Sequence, residues 1–212
     1  MTKALGLKAF DVWRDSGNNI IHAHGGYIFR YEGMYYWYGE YKVGETRSIS
    51  ITGTDGKQNT MMRSDFAGIS CYRSADLNKW EFRGLAVSPS SGPGSDLMPS
   101  RVVERPRVLY NPKTHRFVML LHIDDAGYGE AKIGFAVNDR PDGPFTYLRS
   151  VRPCGEESRD FTVFQDDDGT AWLYHSSEGN RTLHMSGFRT IIFPPQKATL
   201  DALRGCYARR LS

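Results

Sequence analysis

Apolar and polar residues follow the same order in three successive parts of the chain, residues 22–40, 104–124 and 159–178. Each part begins with a polar or charged cluster and continues as an apolar, β-branched or aromatic run. A turn of Gly, Asn, Asp or Pro follows, and then a second run that reaches a carboxylate. Paired runs of this length around such turn residues are typical of antiparallel hairpins. The pattern therefore predicts three related β-hairpins.

Further strand-like runs follow these hairpins, at residues 68–74, 80–87, 132–137, 145–151 and 181–185. Four antiparallel strands in a repeated unit are the layout of a propeller blade. The sequence therefore predicts an all-β fold, a β-propeller of which about three four-stranded blades are present. The predicted partial propeller spans residues 11–185, with blades at about residues 20–88, 104–151 and 159–187.

Three stretches depart from the repeat. Residues 44–65 are polar and are predicted to form a loop over one face of the first blade, and residues 88–100 a flexible crossing between blades. Residues 186–212 lack strand alternation and form an atypical tail. The tail has two explanations: a shifted reading frame or premature end, or a C-terminal helix that covers an open sheet edge.

Composition supports this fold and excludes several functions. The 13% aromatic content and 22 glycines favour strands and tight turns. A net charge of +3 with scattered basic residues gives no basis for nucleic-acid binding. No apolar run approaches a membrane span, and the chain as written shows no signal peptide. We expect a monomer without a cofactor or metal, and its three cysteines as unpaired thiols. Localisation stays open.

Propeller geometry predicts where a functional site would lie. The first strand of each blade lines the central axis, and the second strand runs back toward the same face. Polar residues at these strand ends are therefore expected to converge, namely His24, Glu104, Asp160, Glu40, Asp124 and Glu178. Simpler explanations stay open: ion pairs of Glu104 with Arg105 and of Asp160 with Arg159, a structural hydrogen bond of His24, and solvated carboxylates at the strand ends.

Two other motifs have competing interpretations. Trp37 and Tyr38 could form a platform on which a sugar stacks, but strand alternation implies that one of them packs between blades. The run at residues 166–169, Asp-Asp-Asp-Gly, looks like a calcium-binding loop. It lacks the later bidentate Glu of that motif, and a hairpin turn is the better interpretation.

Several ordered motifs resemble glycoside hydrolase family 43, the five-bladed propellers of the arabinofuranosidase and β-xylosidase group, and most closely its exo-β-1,3-galactanase branch. The matching stretches are residues 23–26, 35–40, 104–108, 122–124, 158–160 with 166–169, and 176–178. The resemblance extends to about Met185 and stops at the tail. It implies an oligosaccharide or polysaccharide substrate, and relatives that are often secreted or periplasmic.

The resemblance also implies site residues. In that family, usually inverting, three carboxylates act as general base, general acid and a group that tunes the acid's pKa. Asp160 matches the pKa-tuning position, and Glu104 matches a substrate-contacting carboxylate of the galactanase branch. We predict these two as catalytic residues. The predicted substrate-binding residues are Glu40, His24, Trp37, Asp124, Arg159 and Glu178. The region of His24 stands where the usual base is found, and the general acid, a Glu that starts a fourth blade, is expected to be missing.

Three functions are compatible with these observations. The leading hypothesis is an incomplete glycoside hydrolase that acts on β-linked galactan or related plant side chains. The second is a non-catalytic carbohydrate-binding propeller fragment that lacks the general acid. The third is an interaction scaffold whose polar cluster is structural, because a fold alone does not decide function.

Overall fold

The computed structural model describes residues 12–52 and 56–188, and the regular structure of this part is almost entirely β-strand. One short 3₁₀ turn, Pro153–Gly155, precedes the eleventh strand. The strands are β1 (His24–Tyr31), β2 (Met34–Glu40), β3 (Thr46–Thr52), β4 (Gln58–Ser64), β5 (Ile69–Ser74), β6 (Glu81–Val87), β7 (Val102–Asn111), β8 (Arg116–Asp124), β9 (Lys132–Asn138), β10 (Thr146–Val151), β11 (Phe161–Gln165), β12 (Ala171–Ser177) and β13 (Thr182–Phe188).

Three antiparallel sheets follow one another along the chain, and we call them blades one, two and three. Blade one has the strand order β1-β2-β5-β6, blade two β7-β8-β9-β10, and blade three β11-β12-β13. The first strands lie together, because β7 contacts both β1 and β11. This arrangement confirms the all-β propeller class, with four, four and three strands per sheet in the described residues.

Residues 44–65 differ from the sequence-based expectation of a loop. They contain a two-stranded hairpin in which β3 pairs with β4 from Thr46↔Ser64 to Thr52↔Gln58. The base of the hairpin is fixed by Arg47, whose Nε donates to Asp65 Oδ2 at 2.9 Å. Polar β-branched and hydroxyl residues on the exposed positions concealed the strand alternation in the sequence. The prediction of a loop is therefore wrong there.

Two layers of apolar side chains hold the blades together. The first seam, between blades one and two, includes Tyr38 and Met119. The second seam, between blades two and three, includes Leu120 and Leu173, both fully buried. Along β8, odd-numbered residues face the first seam and even-numbered residues face the second, as strand alternation requires.

The C-terminal and cysteine predictions have mixed outcomes. Strand β13 continues to Phe188, which pairs with Ala171, so regular structure passes the predicted start of the tail. The rest of the tail lies outside the described residues, as does Cys206. Cys71 is a free, buried thiol as expected, but Cys154 is disulfide-bonded, and the prediction of an unpaired thiol there is wrong. The described part of the chain contains no helix that could cross a membrane.

Candidate functional site

Arg105, in the first strand of blade two, contacts carboxylates of blade one and of the start of blade three. It occupies a bulge in β7, where the pairing with β8 shifts between Glu104 and Arg107, and its backbone adopts a φ of +54°. Its guanidinium Nη2 lies 2.8 Å from Asp160 Oδ1 of blade three, and its amide N–H hydrogen-bonds to the Glu40 carboxylate of blade one. Left-handed backbone at a non-glycine residue is uncommon and often marks a functional site.

Glu40 ends β2 with a largely buried carboxylate, at 8% exposure. Burial raises its pKa, and although the paired Lys42 ammonium acts against this shift, the charge of Glu104 adds to it. Two carboxylates that influence each other electrostatically in a partly water-excluded position are typical of sites that handle protons or hydroxyl groups.

Gly25 lies on β1 where this strand passes close to the Glu40 carboxylate at the end of β2. A Cβ atom at this position would lie 2.6 Å from Glu40 Oε1, and the residue has a φ of +57°, which side chains disfavour. A glycine is therefore needed where β1 passes the buried carboxylate. The motif at residues 23–26, which is part of the family resemblance, contains a Gly-Gly pair. The backbone conformation and the nearby Glu40 carboxylate explain why its first member, Gly25, is a glycine.

Glu104 is half-buried and accepts a hydrogen bond from the Tyr128 hydroxyl at 3.1 Å. Burial raises the pKa of Tyr128, and the Glu104 charge raises it further, so the phenol is a stable donor. Sequence reasoning missed Tyr128, which lies in the turn between β8 and β9. The sequence feature that points to Tyr128 is its position shortly after β8, a strand that runs back toward the axial face.

Asp160 precedes β11 and is exposed, with 59% of its side chain accessible. Its backbone is fixed, because the Asp160 amide donates to Ser176 Oγ at 3.0 Å and its carbonyl accepts the Ser176 amide at 2.8 Å. The carboxylate is thus held at a defined place yet open to a ligand. Its ion-pair partner is Arg105, and not the neighbouring Arg159 that sequence reasoning considered.

Arg159 links two loops beside the site by hydrogen bonds. Its guanidinium donates to the carboxylate of Glu157 at 3.0 and 3.1 Å and to the carbonyl oxygen of Tyr128 at 2.9 Å. These bonds join the start of blade three to the turn that carries Tyr128. As a sugar contact, Arg159 stays a prediction.

His24 lies beside this group of carboxylates. It is exposed and is the pairing partner of Glu40 across β1 and β2. Partial burial lowers the pKa of His24, and the neighbouring His22 and Lys42 lower it further, so the neutral imidazole is favoured. A neutral imidazole can accept a hydrogen bond from one sugar hydroxyl and donate a hydrogen bond to another.

Two predicted sugar contacts lie elsewhere. Trp37 is on the face of β2 opposite Glu40 and packs against Trp13 and Trp80 at ring-centroid distances of 5.0 and 5.2 Å. Asp124 is fully buried, so its carboxylate has no surface with which to meet a sugar. Neither assignment to the sugar is supported by these positions. Tyr38, the alternative to Trp37, is fully buried in the first seam.

Glu178 follows β12 in an exposed turn, with a φ of +50°. The run at residues 166–169 also forms a turn, in which the Asp166 amide donates to the Thr170 carbonyl at 2.8 Å and the Gly169 amide to the Asp166 carbonyl at 2.8 Å. The hairpin-turn interpretation is therefore confirmed. Within residues 12–52 and 56–188, no group of three or more His, Cys, Asp or Glu side chains could hold a metal ion.

The convergent residues form an arrangement suited to a polyhydroxylated ligand. One buried, one half-buried and one exposed carboxylate come from the end of β2, from β7 and from the residue before β11, and Arg105 and Tyr128 bind them. Carboxylates accept hydrogen bonds from vicinal hydroxyl groups, and a pair of them can act as acid and base. The predicted site residues that the structure brings together are Glu40, Glu104, Asp160 and, at their edge, His24.

The chain is similar to known proteins over most of its length. The family model "Glycosyl hydrolases family 43" matches residues 44–200, so the family signal continues past Met185, where the resemblance was expected to stop. The crystal structure of an exo-β-1,3-galactanase from Phanerochaete chrysosporium with galactose is 33% identical, with a TM-score of 0.74. The match covers 97% of this chain and 42% of the galactanase chain. No curated protein sequence matches the chain.

Two further solved structures are similar. An exo-β-1,3-galactanase from Clostridium thermocellum is 38% identical with a TM-score of 0.68, covering 83% of this chain and 36% of its own. A family 43 β-1,3-galactosidase, solved with galactodeoxynojirimycin, is 33% identical with a TM-score of 0.72. That match covers 86% of this chain and 62% of the galactosidase. The chain thus spans less than two thirds of each of these proteins.

Proposed function

The chain belongs to glycosyl hydrolases family 43, and from this we propose that it provides the galactose-binding part of a hydrolase of β-1,3-linked galactan. The convergence of Glu40, Glu104 and Asp160 around Arg105 carries the proposal. The solved structures that resemble the chain at 33% to 38% identity are described as galactanases or a galactosidase, one of them with galactose bound.

In the proposed site the three carboxylates have different tasks. Glu104, held by Tyr128, accepts hydrogen bonds from hydroxyl groups of the terminal galactose. Asp160, exposed beside Arg105, faces the reacting end of the sugar and tunes the pKa of the proton donor. Glu40 lies at the inner end, where burial favours its protonated form. Inverting hydrolysis needs a carboxylic acid for the leaving oxygen and a base for water. We assign neither of these two roles among the described residues.

A binding and turnover assay tests the proposal. The chain is titrated with β-1,3-galactotriose by calorimetry, and released galactose is measured in the same samples. We expect binding that weakens about 10-fold to 100-fold in the Glu104→Gln and Asp160→Asn variants, because a buried or oriented partner loses its charge-assisted hydrogen bond. Asp139→Asn, an exposed carboxylate that pairs with Arg116 at the start of β8, is the matched control and should bind like the parent.

The turnover measurement separates the hydrolase from the non-catalytic alternative, a carbohydrate-binding propeller fragment. Binding without released galactose would favour a carbohydrate-binding fragment. Binding with turnover would favour the hydrolase. Absence of both with correctly folded protein would overturn the proposal and leave the interaction scaffold.

A further inference from the structure

His122 is a buried histidine whose two ring nitrogens both face hydrogen-bond acceptors. It lies on the face of β8 that is turned to the second seam and is 3% exposed. Nδ1 lies 3.1 Å from the Ser158 carbonyl oxygen, and Nε2 lies 3.3 Å from Asp124 Oδ2. A carbonyl oxygen only accepts, so Nδ1 carries a proton. A second proton on Nε2 is then needed for attraction to the carboxylate.

The buried Asp124 carboxylate needs a cation beside it, and a second proton on His122 supplies that cation. Its Oδ1 accepts the amide N–H groups of Asp125 and Glu130 at 2.9 and 2.7 Å, and its Oδ2 faces His122 Nε2 at 3.3 Å. Burial opposes ionisation of Asp124, but His122 and the surrounding amides outweigh it and lower its pKa. A buried carboxylate without a neighbouring cation would be strongly destabilising.

The His122 ring also lies between the two parts of the sugar site. Its backbone pairs with that of Glu104 across β7 and β8. Its ring stacks on Tyr128, whose hydroxyl donates to Glu104, with an interplanar angle of 13° and a centroid distance of 6.2 Å. On the other side it binds the Ser158 carbonyl, two residues before Asp160. One ring therefore contacts the supports of both carboxylates.

We propose that His122 is a positioning residue, which Asp124 holds as a buried imidazolium and which fixes the Tyr128–Glu104 pair relative to the start of blade three. The inference rests on the proposed sugar site for its consequence. Its protonation state and its effect on Glu104 stand independently. The titratable groups that contact the ring are Asp124 on its own strand and Tyr128 in the turn. Glu104 is its pairing partner on β7, Arg159 binds the Tyr128 carbonyl, and His175 binds the Glu157 carbonyl next to Ser158.

A nitrogen-15 NMR measurement on the parent chain tests the protonation state without any ligand. We expect long-range proton–nitrogen spectra at neutral pH to show both ring nitrogens of His122 protonated. His175, which also faces the second seam but has Ser177 two positions further on, serves as internal comparison and should be a neutral tautomer. A neutral His122 ring would overturn the proposal.

The Asp124→Asn variant tests positioning. It keeps the shape of the side chain and removes the charge. We expect His122 to lose its Nε2 proton, the side-chain carboxyl carbon signal of Glu104 to shift, and affinity for β-1,3-galactotriose to fall about 10-fold or more, since small misplacements of binding groups are costly. Ser177→Ala, which alters a buried polar side chain on the other side of the seam, is the matched control and should leave all three unchanged.

The outcomes separate the two proposals. If the parent binds no galactotriose, the proposed function fails, and the Glu104 signal still reads the positioning effect. If galactotriose binds but Asp124→Asn leaves affinity and the Glu104 signal unchanged, the positioning role is overturned and the sugar site stands. If Asp124→Asn does not fold, Tyr128→Phe replaces it. Its loss of affinity without loss of stability would support the positioning path, and unchanged affinity would overturn it.

Discussion

Each side of the second seam places a buried histidine against the crossing before β11, with a different residue two positions further along the strand. The rings also have different neighbours, Tyr128 for His122 and His184 for His175. On the blade-two side, His122 binds the Ser158 carbonyl and has Asp124 two positions further on the same strand face. On the blade-three side, His175 lies 3.0 Å from the Glu157 carbonyl and has Ser177 at the corresponding distance along its strand. Both rings are buried, and they hold consecutive carbonyl groups of the same crossing.

The difference between Asp124 and Ser177 indicates how a buried, charged histidine can be stabilised. Burial lowers the pKa of His175, and the hydroxyl of Ser177 cannot compensate a positive ring, so the neutral form is favoured. His122 has a carboxylate buried with it, and the pair can exist as two opposite charges. Asp124 therefore distinguishes the two histidines, because it places a buried carboxylate beside His122, whereas the nearby His184 lowers the pKa of His175 further.

The largest predicted effect tests whether the two sides form one core. Leu120 and Leu173 are fully buried on opposite sides of the second seam. We expect Leu120→Ala and Leu173→Ala each to lower the free energy of unfolding by about 2 to 5 kcal/mol, because each leaves a cavity in a packed interface. Chemical denaturation monitored by circular dichroism should show one transition for each variant.

The control for this pair is Leu148→Ala in β10, whose side chain is 41% exposed and should cost much less. If Leu173→Ala instead lowers only a separate early transition and leaves the main one unchanged, blade three unfolds on its own. The comparison across the seam would then not describe one rigid interface.

The next effect tests the charge pair that crosses from blade two to blade three. Arg105→Gln removes the guanidinium that holds Asp160 and leaves a shorter, uncharged polar side chain. We expect affinity for β-1,3-galactotriose to fall about 10-fold to 100-fold with little change in thermal stability, since the pair is partly exposed and adds little to folding. Calorimetry and thermal unfolding on the same protein measure both.

Arg116→Gln is the matched control, because Arg116 also pairs with an aspartate, Asp139, but at the other end of β8. Its affinity for galactotriose should equal that of the parent. Equal weakening by the two variants would show that the loss follows from removed surface charge in general, and the assignment of Arg105 to the site would be withdrawn.

Much of the fold could be predicted because it depends on short-range alternation. The hairpin turns and most strands lie where apolar runs and turn residues indicate them; Glu32 and Gly33, for example, both adopt the positive φ of a tight hairpin turn. The β3–β4 hairpin was missed, because its strands are polar on exposed positions and have no buried face along most of their length. Alternation marks strands only where one side is buried.

The candidate site was predicted in part, for a related reason. Strand ends converge by geometry, so Glu40, Glu104 and Asp160 could be found from position alone. Side-chain direction could not, because the two faces of a strand differ by one residue in register. Asp124 therefore turned out to face the second seam, and the contribution of Tyr128, which comes from a turn, depends on loop geometry that no local pattern encodes.

The smallest predicted effect extends the comparison to blade one, where Glu40 is a buried carboxylate whose compensation by Lys42 is incomplete. Its pKa is raised in the folded chain, so the folded state binds the proton more tightly than the unfolded chain does. The resulting stabilisation is fully present below the ordinary glutamate pKa and is lost as pH rises through the raised value. We therefore expect Glu40→Gln to be more stable than the parent at neutral pH, by about 1 kcal/mol.

Thermal unfolding at acidic and neutral pH checks this sign. The advantage of Glu40→Gln should shrink as the pH falls toward the ordinary glutamate range, because the parent carboxyl is then protonated as well. The control is Glu45→Gln, which changes an exposed carboxylate next to the β3–β4 hairpin and should show no such pH-dependent gain in stability. A Glu40→Gln variant less stable than the parent at neutral pH would mean that Lys42 fully compensates the buried charge, as Asp124 and His122 are proposed to compensate each other at the second seam.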